Sequence, residues 1–274
     1  SWQVPMAAKT FRIEAEKCTG CMLCVIVCKD EHVGSAYAPW TRPQPDTGQF
    51  WIAVRALERG RIPRVRVSYL PLMCQHCANA PCAKACSEGA IATRPDGLVW
   101  IDPAKCTNCG LCKDACPYGV IFINAELGVA QKCTGCAHRV DAGELPRCAD
   151  VCPHEAIVFA EDANGEAAEI FHPEFLTEPR VRWQGLPKPW IAGTVIDAAA
   201  DEVIEGAVVS ALDLVEEQTV SGESDAFGDF WLRGLEAGRK YRLEIRKPGY
   251  EKTLAIVTTD GDQDRGTVAL KKAP

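Results

Sequence analysis

The second half of the chain alternates apolar and polar residues over short runs that turn residues separate. Such runs are typical of β-strands, and Lys247-Pro-Gly-Tyr is one of the turns between them. Within residues 190–272 the pattern predicts seven strands, near Trp190–Ile196, Ala207–Leu212, Glu217–Ser221, Asp229–Leu232, Tyr241–Arg246, Thr253–Thr258 and Gly266–Leu270. Seven short strands in one such segment indicate a small antiparallel β-sandwich.

The first half has a different rhythm, in which groups of cysteines are followed by short apolar runs. Tyr118–Ile121 and Ala156–Phe159 are two of these runs, and Asp96–Asp102 is a predicted strand that leads into the third cysteine group. The order of cysteine loop, short helix and strand is that of a ferredoxin, and it occurs twice. This internal repeat predicts two ferredoxin-like modules.

The difference in sequence pattern between the two halves predicts an α+β chain of two domains. Residues 1–172 are expected to form the double ferredoxin-like domain, residues 173–189 a linker, and residues 190–274 the sandwich. The net charge of −7 and the hydrophobic content of 47% are those of an ordinary soluble protein. No apolar run approaches the roughly 20 residues of a membrane helix.

No leader sequence is recognisable, so we expect a cytoplasmic location, with periplasmic export beside a signal-bearing partner as the alternative. The one dense basic stretch, Arg55–Arg66, is interleaved with apolar residues. It is typical of strand faces, loops or a subunit contact rather than of a phosphate-binding track, so no nucleic acid is expected as a partner.

All sixteen cysteines lie before residue 153, in four groups of four. The groups are Cys18, Cys21, Cys24 and Cys28; Cys74, Cys77, Cys82 and Cys86; Cys106, Cys109, Cys112 and Cys116; and Cys133, Cys136, Cys148 and Cys152. Groups one and three have the C-x2-C-x2-C-x3-C spacing of bacterial ferredoxins. In that spacing, three thiolates of one loop hold a cubane cluster and the fourth thiolate serves another cluster. The sequence therefore predicts four 4Fe–4S clusters.

Other uses of these cysteines fit less well. Disulfide frameworks are usually found in short secreted chains. Structural zinc is the stronger alternative, because C-x2-C pairs also bind zinc, although usually as two pairs across a longer gap. The spacing alone does not decide which two groups exchange their fourth cysteines, that is, which group supplies the fourth ligand of each cluster. It permits a nested exchange, with the outer groups together and the inner groups together, and also a sequential one.

Several segments around the cysteines are distinctive beyond their spacing. They are Cys18-Thr-Gly-Cys, Pro71-Leu-Met-Cys-Gln-His-Cys, Asp96-Gly-Leu-Val-Trp-Ile-Asp-Pro-Ala-Lys-Cys, Ala115-Cys-Pro-Tyr-Gly and Gln131-Lys-Cys-Thr-Gly-Cys-Ala-His. Through these segments, residues 10–160 resemble the four-cluster electron-transfer subunits of the DMSO-reductase family of molybdenum or tungsten enzymes. The resemblance implies a large catalytic partner that carries a bis-molybdopterin guanine dinucleotide cofactor, and an external electron carrier.

The same resemblance implies the nested exchange of cysteines. The implied ligand sets are Cys18, Cys21, Cys24 and Cys152; Cys133, Cys136, Cys148 and Cys28; Cys74, Cys77, Cys82 and Cys116; and Cys106, Cys109, Cys112 and Cys86.

The last 80 or so residues also carry a resemblance. Segments such as Ile191-Ala-Gly-Thr-Val-Ile and Asp225-Ala-Phe-Gly-Asp-Phe resemble carboxypeptidase-regulatory-like or transthyretin-like modules. An iron–sulfur subunit followed by such a module is similar to the small subunits of transhydroxylases and hydroxylases that act on phenols such as pyrogallol or resorcinol in anaerobic aromatic degradation. In the transhydroxylases, the inner module has lost the cysteines of one cluster. The corresponding set around Cys106 is intact here, which implies a heterodimeric hydroxylase from which electrons leave.

The expected role is therefore a relay of electrons, without catalytic residues in this chain. The same relay in a respiratory arsenate or polysulfide reductase, and a free-standing polyferredoxin, are the alternatives. His76 lies inside group two and His138 follows Cys136. Because all sixteen cysteines are present, both imidazoles are expected to be hydrogen-bonding or surface groups rather than metal ligands.

Overall fold

A computed structural model describes residues 9–161 and 168–274 of the chain. The chain divides into two compact units. The first unit contains the residues up to Leu57 together with Ser68–Leu186, and the second contains Glu58–Val67 together with Pro187–Pro274. The second unit is thus discontinuous in sequence, since residues 58–67 belong to it although the sequence pattern assigns them to the first domain.

The helices of the first unit are short. They are α1 (Leu23–His32), α2 (Pro81–Lys84), α3 (Leu111–Asp114), α4 (Ala137–Asp141) and α5 (Arg147–Asp150). Three of them begin after a residue with left-handed backbone, namely Met22, Gly110 and Cys136, and a proline opens α2. In the described part of the chain, no helix combines the length and the apolar character that crossing a membrane requires.

Among the described residues, nine strands precede the sandwich. They are β1 (Thr10–Glu14), β2 (Ile52–Arg61), β3 (Arg64–Met73), β4 (Ile91–Thr93), β5 (Val99–Ile101), β6 (Phe122–Asn124), β7 (Val129–Gln131), β8 (Ile157–Ala160) and β9 (Arg182–Gln184). Two 3₁₀ turns, Ala15–Lys17 and Pro173–Phe175, are the other helical elements that the structure describes here. Strands β2 and β3 form a hairpin, and the pairs β4–β5 and β6–β7 form two more.

The beginning of the first unit pairs with its end. Strand β1 lies between β8, which is antiparallel to it, and β9, which is parallel. Helix α1 packs against α5, whereas α2 packs against α3. The elements around cysteine groups one and four therefore lie together, and those around groups two and three lie together, one pair inside the other along the chain.

The segment expected as a linker is partly structured. Residues 173–189 include β9, in which Trp183 is fully buried and pairs in register with Ile13 of β1. Up to Leu186 this segment belongs to the first unit. The sequence pattern misses this because β9 has only three residues and its partner strand lies about 170 positions earlier, whereas proline-rich composition dominates the local signal.

The second unit contains all seven predicted strands. They are β10 (Ile191–Asp197), β11 (Val208–Asp213), β12 (Thr219–Glu223), β13 (Asp229–Leu232), β14 (Lys240–Arg246), β15 (Thr253–Thr258) and β16 (Gln263–Leu270). They form a sheet of order β13-β10-β16 and a second of order β12-β11-β14-β15, around one apolar core. The expectation of a purely antiparallel sandwich is wrong at one place, because β10 and β16 are parallel. After β15 the chain changes sheets and reaches the free edge of β10 in the same direction as that strand.

The hairpin segment of the second unit is held by a buried arginine. The guanidinium of Arg64 is 7% exposed and pairs with Asp229 at 2.8 Å and with Asp264 at 2.9 Å. Arg64 also donates a hydrogen bond to the hydroxyl of Thr194. Part of the basic stretch that the sequence pattern leaves unassigned is therefore an internal ion-pair network of this unit.

Candidate metal centres

Each cysteine group begins with a loop of the same backbone shape. The residue just before the second cysteine has a left-handed backbone in all four groups, with φ of 74° at Gly20, 45° at His76, 61° at Asn108 and 67° at Gly135. Glycine and asparagine adopt this conformation at low cost, whereas histidine does so less readily. The loop curls back on itself, so that the amide of His76 donates to the Cys74 sulfur and that of Gly135 to the Cys133 sulfur, both at 3.4 Å.

The loops bring cysteines from distant groups to the walls of common cavities. One cavity is lined by Cys18, Cys21, Cys24 and Cys152, which we call set A. A second is lined by Cys74, Cys77, Cys82 and Cys116, called set C. A third is lined by Cys86, Cys106, Cys109 and Cys112, called set D. The other lining residues are mostly apolar, as in the segment Val120–Ile121 at set C.

The remaining four cysteines, Cys28, Cys133, Cys136 and Cys148, form set B, and all four are buried. Burial raises the pKa of Cys148 well above its usual value, and the neighbouring sulfurs of Cys136, Cys133 and Cys28 raise it further. Burial also raises the pKa of Cys28, and Cys133 and Cys136 make the next contributions to that rise. Helix α1, which carries Cys28, packs against α5, which carries Cys148, and this contact agrees with the mutual effects of these sulfurs.

Burial also governs the thiols of the other sets. It raises the pKa of Cys24 to about 12, and the next contributions come from Cys18, Cys152 and Cys21 of the same set. It raises the pKa of Cys112 to about 11, and the next contributions come from Cys106, Cys109 and Cys86. Such thiols carry their proton at neutral pH, so a bound cation is needed to keep them as thiolates. Four thiolates around an apolar space are the donor set of a cubane cluster.

The four sets follow one another in the order A, B, C, D. Helix α1 carries Cys24 of set A and Cys28 of set B, one turn apart. Burial is the main cause of the raised pKa of Cys133 in set B, and the next contribution comes from the nearby sulfur of Cys74 in set C. Helix α2 contains Cys82 of set C and ends just before Cys86 of set D.

The two ends of this row reach the surface. Cys21 of set A and Cys109 of set D are the exposed cysteines, whereas all of set B is buried. Two exposed apolar side chains flank these ends, since Met22 is 41% exposed beside Cys21 and Leu111 is 50% exposed beside Cys109. The arrangement therefore presents both of its ends to other molecules and shields set B from water.

Three buried side chains surround sets B and C, and the sequence did not indicate that all three are buried. The ammonium of Lys132, 2% exposed, donates to the carbonyl oxygens of Val99 and Cys133. His76 accepts a hydrogen bond from the Val99 amide on Nδ1 at 3.0 Å. Burial lowers the pKa of His32 to about 4 and that of His76 well below its usual value. The hydrogen-bonding role expected for His76 is thus present.

His138 has an acid and an aromatic ring as its partners. Its Nε2 is 3.0 Å from Glu31 Oε1, and its ring stacks on Tyr37 with centroids 3.6 Å apart. Across residues 9–161 and 168–274, no three His, Cys, Asp or Glu side chains converge closely enough to hold a single metal ion. The cysteines surround spaces instead of converging on a point.

Comparison with known proteins finds three matching family models and many relatives. Residues 15–35 match the family described as "4Fe-4S binding domain", residues 65–162 match "4Fe-4S dicluster domain", and residues 190–271 match "Carboxypeptidase regulatory-like domain". The chain is 34% identical to the pyrogallol hydroxytransferase small subunit of Pelobacter acidigallici, over 94% of this chain and 97% of that protein. The chain belongs to the iron–sulfur electron-transfer subunits of DMSO-reductase-type molybdoenzymes.

Two other members of this family align over little more than half of the chain. The thiosulfate reductase electron transfer subunit of Salmonella typhi is 34% identical over 53% of this chain and 72% of its own length. The probable anaerobic dimethyl sulfoxide reductase chain YnfG of Escherichia coli is 36% identical over 54% of this chain and 71% of its own length. Among solved structures, the shaft pilin SpaA of Lactobacillus rhamnosus GG is similar at a TM-score of 0.29 and 13% identity, over 34% of this chain and 51% of that chain, which is too weak to support an argument.

Proposed function

We propose that this chain relays electrons through four 4Fe–4S clusters between a large catalytic subunit and an external carrier. The observation that carries the proposal is the row of four cysteine sets with an exposed cysteine at each end. When bound, each cubane supplies a site that accepts and releases one electron. The protein's own part is to hold the sites in sequence, to exclude water from the middle ones and to present the outer ones to partners.

We further propose that sets A, B, C and D are the ligand sets of the four clusters. The shared cavities support this nested assignment, because Cys152 lines the cavity of Cys18, Cys21 and Cys24. A sequential exchange would instead put Cys86 in that set.

The assignment has a direct test. Under the nested assignment, Cys21→Ala and Cys152→Ala abolish the same signal in the electron paramagnetic resonance (EPR) spectrum of the reduced protein, and Cys109→Ala, the matched control at the other end, abolishes a different one. Loss of different signals in Cys21→Ala and Cys152→Ala would contradict the assignment.

For the catalytic partner, we propose a subunit that holds a bis-molybdopterin guanine dinucleotide site with molybdenum or tungsten and that hydroxylates or transhydroxylates phenols. The alignment with the pyrogallol hydroxytransferase small subunit supports this, since it covers nearly the whole chain and thus includes the second unit. The complete set D supports a reaction with net electron flow, because a fourth site beyond set C is needed only if electrons leave the complex.

The proposal is tested on the native complex, purified without oxygen. We expect a heterodimer with about 16 irons per small subunit and with molybdenum or tungsten in the large subunit. A hydroxylase should reduce the clusters when resorcinol or pyrogallol is added, whereas a transhydroxylase, whose reaction releases no net electrons, should leave them oxidised. An active complex without either metal overturns the proposal.

The alternatives give other results in the same experiment. A stable, fully loaded chain that purifies with no partner points to a polyferredoxin. Reduced clusters that are oxidised by arsenate or polysulfide, in a complex that responds to no phenol, point to a respiratory reductase. The cytoplasmic location and the domain boundaries at 172 and 190 stay predictions.

A further inference from the structure

Two buried histidines face the sulfurs of set B. His76 Nε2 lies 3.9 Å from Cys133 Sγ, and His32 Nε2 lies 3.8 Å from Cys136 Sγ. Both imidazoles are 1% exposed, so neither ring can reach water. Sulfur is large enough for a hydrogen bond at such separations, which a nitrogen–oxygen pair would not form.

The protonated nitrogen of His76 is fixed by its other contact. The backbone amide of Val99 donates to Nδ1 at 3.0 Å. Since Nδ1 accepts a hydrogen bond, it carries no proton, and the single proton of the neutral ring is on Nε2. The N–H of His76 therefore points at the Cys133 sulfur.

For His32, the cost of burying an unpaired N–H decides which nitrogen carries the proton. Its Nδ1 has no hydrogen-bond partner among the described residues, and its Nε2 faces Cys136. A buried N–H without an acceptor is rarer and more costly than an acceptor without a donor. The proton is therefore on Nε2, where the sulfur can accept it.

The left-handed backbone at His76 shows that histidine occupies this position at a cost in conformational free energy. The equivalent positions of the other three loops hold Gly20, Asn108 and Gly135, which tolerate a left-handed backbone better than histidine does. Uncommon backbone conformations of this kind persist where the surrounding structure over-determines them, often at functional positions. Here the side chain reaches from loop two to a sulfur of loop four, and so joins two cysteine groups.

We propose that His76 and His32 are positioning residues that donate N–H hydrogen bonds to two thiolates of set B and thereby raise the reduction potential of that centre. The inference rests on the proposed assignment of set B as a ligand set. One-electron reduction adds negative charge to the thiolates, and donors to a charged acceptor stabilise it more than donors to a neutral one. The electron arrives without a proton, and both N–H groups stay on their rings. Hydrogen bonds to the sulfurs are among the factors that set such potentials.

The test is a redox titration of the purified native complex, followed by EPR spectroscopy. We expect His32→Leu to lower the equilibrium constant for reduction of one centre about tenfold, which is about 59 mV for a one-electron couple. His76→Asn is expected to shift the same centre, because asparagine tolerates the backbone, as at Asn108, but is too short to reach Cys133. His32→Gln, which offers an amide N–H, is expected to restore part of the shift.

The matched control is His172→Leu. His172 is exposed and pairs with Glu174, so its loss should leave every potential unchanged. Labelling with ¹⁵N-histidine gives a second readout, since pulsed EPR should detect nitrogen coupled to the reduced centre in the native protein and less of it in each variant.

The outcomes separate this inference from the proposed function. A native chain that binds no iron refutes the proposed function. Full iron content with unchanged potentials in both His32→Leu and His76→Asn overturns the inference and leaves the relay intact. A shift of two different centres contradicts the assignment of both histidines to set B. If His76→Asn fails to load iron, His32→Leu alone decides the matter.

Discussion

At the scale of single residues, the residue just before the second cysteine of each group determines the shape of its loop. At Gly135 the left-handed backbone coincides with close packing, because a Cβ there would come within 2.6 Å of the Leu98 side chain. Leu98 is itself buried, at 2% exposure, and has little room to move. Gly20 is in the same situation against the ring of Tyr69. These two glycines are needed both for their backbone and for the absence of a side chain.

We predict that Gly135→Ala destabilises the first unit by about 2–5 kcal/mol, the sum of about 1–2 kcal/mol for the left-handed backbone and about 1–3 kcal/mol for overpacking. Gly34→Ala is the matched control, since Gly34 has φ of 68° but open space around it, so only the backbone cost applies. Thermal unfolding of the iron-loaded variants under nitrogen measures the difference. Equal losses in the two variants would contradict the role of Leu98.

The spacing was enough to predict which cysteines share a loop, whereas the orientation of the histidines could not be predicted. Ferredoxin spacing fixes which thiols share a loop, since it reflects the local reach of the backbone. The tautomer of His76 depends instead on the amide of Val99, which lies 23 positions away in β5. Burial of Lys132 likewise depends on the carbonyl of Val99. Such long-range partners leave no periodic trace in one sequence.

At the scale of elements, the hairpin of β2 and β3 contributes its central segment to the second unit. Arg64 in that segment pairs with Asp229 of β13 and Asp264 of β16. Both carboxylates are partly exposed whereas the guanidinium is buried, so losing the arginine leaves two acids that water can still reach in part. The network thus ties two edge strands of one sheet to the hairpin.

We predict that Arg64→Ala destabilises the second unit by about 2–3 kcal/mol, below the usual cost of breaking a fully buried pair because the acids keep some water. Hydrogen exchange of peptides that cover β13 and β16 should become faster. Arg61→Ala, at an exposed position of the same hairpin, should change neither. Unaltered exchange in Arg64→Ala would show that the hairpin is not needed by these strands.

Local patterning explains why the sandwich strands were predictable and their pairing was not. Alternation along β11 and β14 places every second residue in the core, and this period is visible in the sequence. The parallel pairing of β10 with β16 depends on a crossing between sheets, and the pairing of β9 with β1 depends on a contact across most of the first unit. Neither has a local signature.

At the scale of the whole molecule, the two units differ in what holds them together. The core of the first unit includes buried cysteines of all four sets, such as Cys24, Cys82, Cys112 and Cys148. The core of the second unit is built from aliphatic and aromatic side chains such as Ile191, and residues 187–274 contain no cysteine. The first unit should therefore depend on bound metal, whereas the second should not.

We predict that removing iron with an oxidant and a chelator unfolds the first unit and spares the second. Without metal, the thiols of the sets are protonated and line empty apolar spaces, which costs packing. Limited proteolysis should then leave a protected fragment that begins near Pro187, with the peptide of residues 58–67 still bound to it. Digestion of that fragment at the same rate as the rest would contradict the independence of the second unit.

The discontinuity of the second unit has a consequence for the order of events during synthesis. About 120 residues separate Val67 from Pro187, so a ribosome working at roughly 5–20 residues per second exposes the hairpin roughly 6–24 s before the strands that receive it begin to emerge. The nascent chain must therefore carry the Arg64 hairpin uncovered while the cysteine loops around it are already available. Any iron inserted into the first unit before the last strands arrive must therefore leave that hairpin free to join them.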